Sequence, residues 1–194
     1  MIDFEEQIRY EKAEPFLDDR HLWRRFKSGS ESAFIKIYES YFDVLLNYGY
    51  QLTGREDLTQ DAIQDLFIDI RDSRERLGDT HSIKFYLMKS LKRKLFRESA
   101  RWYNQCDTIA EGLPFEVTFS HEKILIDRQI SEEQSLKLNQ AVQNMPGRKK
   151  EALYYFYYEG LSYEQIKEMM ELSHIKSARN LVYEAISYLR EALK

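Results

Sequence analysis

The sequence has little cysteine, glycine or proline, and each shortage limits the fold. The single cysteine, Cys106, excludes an intramolecular disulfide framework and suits a reducing compartment. Glycine and proline number only 7 and 3 among 194 residues, and runs of β-branched residues are few. Glu, Lys, Leu, Ile and Tyr are plentiful instead, which favours an all-α protein of one or two domains.

The chain also lacks any apolar segment that approaches the length of a membrane span. Its N-terminus, MIDFEEQIRYEKAEPF, is acidic and has no continuous apolar stretch, so we do not expect a signal peptide here. We therefore expect a cytoplasmic protein without direct membrane insertion.

Charge is distributed unevenly along the chain, although the formal net charge is only −4. Residues 55–79 contain eight acidic residues and four arginines, whereas residues 84–101 contain seven basic residues and one glutamate. An acidic block beside a basic block predicts two different partners.

Residues 161–189, LSYEQIKEMMELSHIKSARNLVYEAISYL, have the pattern of a helix-turn-helix. Ser162 and Gln165 have the spacing of a capping box at the first helix, and Ser173 is a candidate N-cap for the second. The second helix has an apolar stripe of Ile175, Ala178, Val182, Ala185 and Leu189. This stretch alone fits an ordinary helical hairpin that buries one face equally well.

The polar side of that second helix could contact DNA, because such a helix can lie in the major groove. Its outward side chains can donate hydrogen bonds to phosphates or base edges, and they are Lys176, Ser177, Arg179, Asn180 and Tyr183. Glu184 also faces outward, where DNA would repel it.

Residues 57–70 predict a helix with an acidic face, because Asp57, Asp61, Asp65 and Asp69 recur at every fourth residue. Like charges at this spacing destabilise a helix by a few tenths of a kcal/mol per pair. A basic partner surface would offset that cost, and a solvated face is the simpler alternative.

Residues 83–101 predict a basic amphipathic helix in which aromatic residues alternate with Lys and Arg. Single-stranded nucleic acid is bound by such a combination, through cations on the backbone and aromatic rings stacked on bases. A membrane surface is another possible partner, and a helix whose apolar side chains are simply core is the third alternative.

These patterns divide the chain into two helical domains joined by a flexible linker, with a helix-turn-helix at the end of the second. The expected limits are an acidic leader at 1–17, a first domain at 18–102, a linker at 103–130 and a second domain at 131–194. Within the linker, Phe115, Val117 and Phe119 alternate and could form a short extended piece.

Two passages resemble the extracytoplasmic-function type of bacterial RNA polymerase sigma factor, in particular its branch common in Bacteroidetes. QDAIQDLFIDI, at 60–70, resembles the signature of the family's clamp-binding helix. MPGRKKEALYYFYYEGLSYEQIKEMMELSHIKSARNLVYEAISYLREAL, at 145–193, resembles the family's promoter-recognition domain, most specifically at EGLSY. The chain departs from the family pattern at Lys167, at Glu171 in the turn, and at Leu181 and Glu184 in the recognition helix.

The resemblance implies a protein that binds core RNA polymerase and promoter DNA and starts transcription. Its polymerase-binding residues would be Asp61, Gln64, Asp65 and Asp69. The minus-ten element would be melted and bound by Gly78, Asp79, Thr80, His81, Ser82, Lys84, Phe85, Lys89, Lys92, Arg93 and Arg97. The minus-thirty-five element would meet Lys176, Ser177, Arg179, Asn180 and Tyr183.

The same resemblance implies a monomer that is regulated by an anti-sigma factor. No catalytic residue, metal or cofactor is implied, because the polymerase performs the chemistry.

Three other protein classes remain open. A conventional helix-turn-helix repressor explains 161–189 but neither charged helix, and it would bind two half-sites as a dimer. A di-metal carboxylate enzyme needs two inward-facing Glu-x-x-His motifs, and the chain has one, from Glu171 to His174. A sigma-like decoy without promoter activity is the third.

Overall fold

The computed structural model describes residues 18–103 and 132–193, and every regular element within those ranges is a helix. In the N-terminal segment (18–103) the helices are α1 (Asp19–Lys27), α2 (Glu31–Thr53), α3 (Glu56–Asp72) and α4 (Ile83–Tyr103). The C-terminal segment (132–193) contains α5 (Glu132–Gln143), α6 (Gly147–Leu153), α7 (Tyr163–Met169) and α8 (Ile175–Ala192). The all-α class expected from the composition is confirmed.

Side-chain caps mark the beginnings of α1 and α2. Asp18 accepts a hydrogen bond from the Arg20 backbone N–H, and Ser30 accepts one from Ala33. Caps of this kind stabilise a helix by about 1 kcal/mol each, because they satisfy N–H groups that have no partner inside the helix. The four helices bury Trp23, Ile37, Phe67 and Leu91 in a shared core.

Helices α2 and α3 approach each other closely at Gly49. A Cβ atom there would clash with the buried Thr59 Cγ2, so the position has room only for glycine. The Thr59 hydroxyl donates to the Arg55 carbonyl at 2.8 Å and contacts the Thr53 hydroxyl at 3.1 Å. This contact fixes the start of α3, and therefore the position of its acidic face.

Helix α6 continues into a π-helical turn at Tyr154–Tyr158, which the helical period did not predict. The turn buries both Tyr154 and Tyr155. Gly160 has a φ of 65°, a left-handed conformation that glycine adopts without strain, and it leads the chain into α7.

Helices α7 and α8, joined by a short turn, occupy the stretch predicted to be a helix-turn-helix. Ser162 and Gln165 make the expected capping box. The predicted Ser173 cap is wrong: His174 occupies the N-cap of α8 and its side chain makes no capping hydrogen bond. Ala178, Val182 and Ala185 are buried as expected, but Ile175 is 38% exposed because it lies in the first, solvent-facing turn.

The turn between these helices places Glu171 at a φ of 52°, which side-chain-bearing residues rarely adopt. The Leu172 N–H donates to the Lys167 carbonyl at 2.9 Å, which completes a Schellman motif. Glycine is the usual residue at this position of the motif.

None of the helices within 18–103 and 132–193 combines the length and hydrophobicity that crossing a lipid bilayer requires. The predicted leader (1–17), the alternating Phe115, Val117 and Phe119, and nearly all of the predicted linker (103–130) lie outside the described residues.

Candidate polymerase and nucleic-acid interfaces

The acidic face of α3 is exposed along its length. Asp61, Gln64, Asp65 and Asp69 all face solvent, while Ala62, Leu66 and Ile70 are buried on the other side. The N-terminal turn is partly neutralised, because Asp57 pairs with Arg55 at 2.6 Å. The remaining row is available to a basic partner.

One lysine from α4 reaches this acidic face. The Lys94 Nζ lies 2.8 Å from Asp69 Oδ2 and 3.4 Å from Asp65 Oδ2. The carboxylates keep most of their exposure, at 65% and 61%. The Lys94 side chain is only 13% exposed, so the carboxylates remain accessible to a basic partner from the solvent side.

The loop at 77–82 is fixed against α1. The Trp23 indole Nε1 donates to the Gly78 carbonyl at 2.9 Å, and Lys27 Nζ pairs with Asp79 at 2.8 Å. The hydrogen bond from Lys27, and then its charge, hold the pKa of the exposed Asp79 carboxyl below its usual value. No local pattern predicts this attachment, because α1 lies some fifty residues earlier in the chain.

The end of the loop caps α4. Ser82 Oγ accepts from the Phe85 N–H at 3.2 Å. Thr80 Oγ1 bonds to the Ser82 backbone, accepting from its N–H and donating to its carbonyl. His81, between them, is exposed.

Three lysines that were predicted to hold DNA form ion pairs with the C-terminal segment. Lys84 lies 2.6 Å from Glu159, Lys89 lies 2.6 Å from Glu168, and Lys92 lies 2.7 Å from Glu151. These contacts bring α4 against α6, α7 and the turn that connects them. Sequence reasoning identified the lysines but missed all three acidic partners.

Lys92 makes the densest set of contacts among these lysines. Besides Glu151, its Nζ donates to the Met169 carbonyl at 2.7 Å, at the C-terminal end of α7. A cation is favoured there by the partial negative charge of a helix C-terminus. The same Nζ lies 5.7 Å from the ring centroids of Phe96 and Tyr155, within the range of cation–π attraction.

Tyrosines complete the contact beneath these ion pairs. The Tyr155 hydroxyl donates to Glu151 at 2.9 Å, and the Tyr48 hydroxyl of α2 lies 2.8 Å from that of Tyr155. The Tyr154 hydroxyl donates to the buried Glu159 at 2.6 Å. Burial is the main cause that raises the pKa of Tyr48, Tyr154 and Tyr155 well above the usual tyrosine value.

A groove of about 870 Å³ runs between α3–α4 and α6–α7. Arg93, Phe96, Arg97 and Arg148 line it beside Glu168 and Glu171. Arg93 and Arg97 are exposed and form no ion pair with the described residues. The two arginines are therefore the basic residues of the predicted minus-ten set that remain available to an anion.

Helix α8 presents the side chains predicted to contact DNA to solvent. Lys176, Arg179, Asn180 and Tyr183 are exposed, with Tyr183 at 67%, and Ser177 is half-buried. The Arg179 guanidinium lies 5.4 Å above the Tyr163 ring, which in turn stacks on Phe156. This stack orients Arg179 without using its hydrogen-bond donors.

Glu184, whose outward position was expected to repel DNA, pairs with Lys149 of α6 at 3.2 Å. The pair reduces the negative charge at the middle of α8. No group of three or more metal-ligating side chains occurs among the described residues, and Glu171 and His174 lie in and beside the turn of the helix-turn-helix.

The fold is similar to those of solved structures, although the chain matches no protein-family model and no curated protein. One is the structure of CnrH in complex with the cytosolic domain of CnrY, with a TM-score of 0.59 and 15% identity. The similarity covers 91% of this chain and 97% of the matched chain in that structure.

A second structure is the sigma factor RpoE in complex with the anti-sigma factor NepR from Bartonella quintana. Here the TM-score is 0.56 and the identity 17%, over 82% of this chain and 96% of that chain. At such low identity the similarity establishes a shared helical fold over nearly the whole of both relatives.

Proposed function

We propose that this protein is a sigma factor of the extracytoplasmic-function type, which directs core RNA polymerase to promoters. The observation that carries the proposal is the shared fold with the sigma factor RpoE, over nearly all of that chain. The charged faces described above supply the chemistry that such a role needs.

In this proposal the chain has three working surfaces. The exposed acidic face of α3, with Asp61, Gln64, Asp65 and Asp69, docks on a basic surface of the polymerase. The loop at 78–82 and the basic face of α4 take the separated minus-ten strand. Positively charged side chains there bind phosphates, and Phe85 offers a stacking surface for a base.

Helix α8 would enter the major groove of the minus-thirty-five element. Exposed Lys176, Arg179 and Asn180 supply donors near its N-terminal end, which is the part of a recognition helix that contacts base edges. The stack beneath Arg179 favours this role, because a guanidinium held in place loses less entropy on binding.

The proposal extends to partners and location. CnrH was solved with CnrY and RpoE with the anti-sigma factor NepR, so we propose an anti-sigma factor as the regulator of this chain. We further propose that it acts in the cytoplasm, as a monomer or as a one-to-one complex with that regulator. The resemblance in residues 60–70 and 145–193 supports the branch common in Bacteroidetes.

Run-off transcription tests the function directly. Core polymerase of the source bacterium is incubated with a library of genomic promoter fragments, with and without the protein. Transcripts that begin only with the protein are the expected result, and their upstream sequences give both recognition elements. Absence of polymerase binding would contradict the proposal and favour a repressor, whereas binding without new transcripts would favour a decoy.

The promoter contacts are tested with a matched pair of variants in the same assay. Lys176→Ala with Arg179→Ala is expected to lower these transcripts roughly tenfold or more, because each residue contacts DNA. Arg20→Ala with Lys36→Ala removes the same charges from exposed positions on α1 and α2 and should leave transcription unchanged.

A further inference from the structure

We propose that the groove between α3–α4 and α6–α7 binds a nucleoside di- or triphosphate, with the phosphates on Arg93, Arg97 and Arg148. Polymerase docking and promoter binding do not require a small-molecule site, so the inference goes beyond the proposed function. It stands on the size of the groove, on the charges that line it and on an aromatic ring beside the arginines.

The groove has the size and part of the lining of a ligand pocket. Its volume of about 870 Å³ falls within the range of about 300–1,000 Å³ that is typical of small-molecule sites. Four buried apolar side chains contribute to the lining, and they are Leu66, Ile70, Met169 and Met170. Small-molecule sites commonly combine such apolar side chains with a few polar groups that fix the orientation of the ligand.

The charges that line the groove are unbalanced. Six cationic side chains and four carboxylates belong to the lining. Three of the cations are lysines, and each already has a carboxylate partner within the groove, in the pairs Lys89–Glu168, Lys92–Glu151 and Lys94–Asp69. Three arginines therefore remain against one carboxylate, that of Glu171, which leaves an excess of two positive charges. A concave site with this excess attracts a ligand that carries at least two negative charges.

The three arginines come from both walls of the groove. Arg93 and Arg97 are one helical turn apart and so share a face of α4, whereas Arg148 extends from α6. All three are exposed, and none forms an ion pair with the described residues. A guanidinium group binds phosphate oxygens through two parallel N–H donors. A chain of two or three phosphates can therefore engage arginines of both walls.

An aromatic ring and a carboxylate favour a nucleotide over a simple polyphosphate. Phe96 lies between Arg93 and Arg97 in sequence, is 39% exposed and lines the same groove. A nucleotide base of any kind can stack on such a ring, because every base has a π-face. Glu171 repels phosphates but accepts hydrogen bonds from ribose hydroxyl groups and base N–H groups. The ligand is therefore expected to place its phosphates at the arginines and its nucleoside towards Glu171.

Calorimetric titration of the full-length free protein tests the site. The probes are ATP, ADP, GTP and GDP, compared with adenosine and inorganic pyrophosphate, in the presence of EDTA. At least one nucleotide should bind saturably and one to one, at least about tenfold more tightly than adenosine or pyrophosphate, because only a nucleotide uses both the ring and the arginines. No saturable binding of any of the four nucleotides would overturn the proposal. Equal affinity for pyrophosphate or adenosine would overturn the assignment to a nucleotide.

Arg148 separates this site from the proposed minus-ten surface, which includes Arg93 and Arg97 but not Arg148. Arg148→Ala should weaken nucleotide binding about tenfold or more, and Arg148→Lys should weaken it less, because lysine keeps the charge but loses the paired donors. Arg20→Ala removes an exposed arginine of α1 outside the groove and should bind like the wild type. Equal losses in Arg148→Ala and Arg20→Ala would assign the binding to net charge and overturn the proposal.

Photolabelling locates the ligand in the unaltered protein, so it decides the matter even if a variant does not fold. An azido derivative of the nucleotide that binds should label residues 86–97 or 168–171, as mapped by mass spectrometry, and an excess of the unmodified nucleotide should suppress the labelling. Labels found only outside the groove would overturn the proposal.

These experiments use neither polymerase nor promoter DNA, so their result is independent of the proposed function. A protein that binds nucleotide but starts no transcripts would keep the site and lose the sigma function. A protein that starts transcripts and binds a single-stranded oligonucleotide, but no nucleotide, would keep the sigma function and lose the site.

Discussion

Tyr48 of α2 and Tyr155 of the π-helical turn share a buried hydrogen bond of 2.8 Å between their hydroxyl groups. Because Tyr155 donates its own proton to Glu151, Tyr48 is the donor in this pair. The bonds therefore run from Tyr48 through Tyr155 to Glu151, which also receives Lys92. One continuous chain of polar contacts joins the two segments, buried at the two tyrosines and partly exposed at Glu151 and Lys92.

This chain makes the protein sensitive to alkaline pH. Burial raises the folded-state pKa of Tyr48 well above its unfolded value of about 10, with charge from Glu151 and Glu159 adding to it and the bond to Tyr155 opposing it. Above pH 10 the unfolded state loses the proton and the folded state keeps it. Stability is thus fully present below pH 10 and falls above it, with a limiting slope of about 1.4 kcal/mol per pH unit for this one tyrosine.

Tyr48→Phe tests that dependence, because phenylalanine fills the same space and cannot ionise. Between pH 10 and 11 the unfolding free energy in urea should fall less in the variant than in the wild type, by about 1 kcal/mol, because the unfolded tyrosine is half ionised at pH 10 and almost fully ionised at pH 11. Tyr50→Phe, at an exposed position on the same helix, is the control and should follow the wild type. Identical slopes for all three proteins would refute the burial argument.

Gly49→Ala should destabilise the protein, against the usual trend. Alanine normally stabilises a helix interior by about 0.8–1 kcal/mol relative to glycine. Here the added methyl group meets Thr59 Cγ2, and overpacking of this kind costs about 1–3 kcal/mol. A net loss of about 1 kcal/mol or more is expected in chemical denaturation.

Two further variants isolate the cause of that loss. Thr59→Ser removes the clashing methyl group but keeps the hydroxyl, so the double variant should recover part of the stability. Gly147→Ala, where no atom lies within 4 Å of the new methyl group, should be tolerated. A Gly49→Ala protein as stable as the wild type would show that α2 and α3 can separate freely.

Glu171→Gly should stabilise the helix-turn-helix. A side-chain-bearing residue in the left-handed region costs about 1–2 kcal/mol, and glycine avoids this cost but loses about 0.5–1 kcal/mol of chain entropy. The net gain should be about 0.5–1 kcal/mol in denaturation experiments. Glu164→Gly, in ordinary helical backbone of α7, should change stability in the opposite direction, and a loss in both variants would contradict the turn geometry.

Local patterns predicted the elements well because their causes are local. The period of Asp61, Asp65 and Asp69 fixes a shared face whatever the rest of the chain does, and the Ser162 capping box needs only neighbouring residues. Ser173 failed as a cap because the Schellman turn at Glu171 shifts the start of α8 by one residue.

Local patterns could not predict the acidic partners of the lysines in α4. Lys84 and Glu159 are 75 residues apart in sequence, and a helical period shows which face a lysine is on without showing what covers that face. The π-helical turn was not predicted for a related reason. Tyr154 and Tyr155 are adjacent in sequence, yet both are buried and the hydroxyl groups of both form hydrogen bonds. An apolar stripe with a 3.6-residue period does not predict that two adjacent residues are buried in this way.

The acidic face of α3 yields the sharpest test of partner binding. Asp61→Arg with Asp65→Arg reverses two exposed charges in a row, and a basic polymerase surface would repel them. The variant should bind core polymerase at least about tenfold more weakly, a change of about 1.4 kcal/mol, with its helical circular dichroism unchanged. Glu39→Arg with Asp43→Arg makes the same reversal at the same spacing on an exposed face of α2. If both variants lose affinity equally, net charge controls binding; if neither does, the acidic row of α3 is a solvated face.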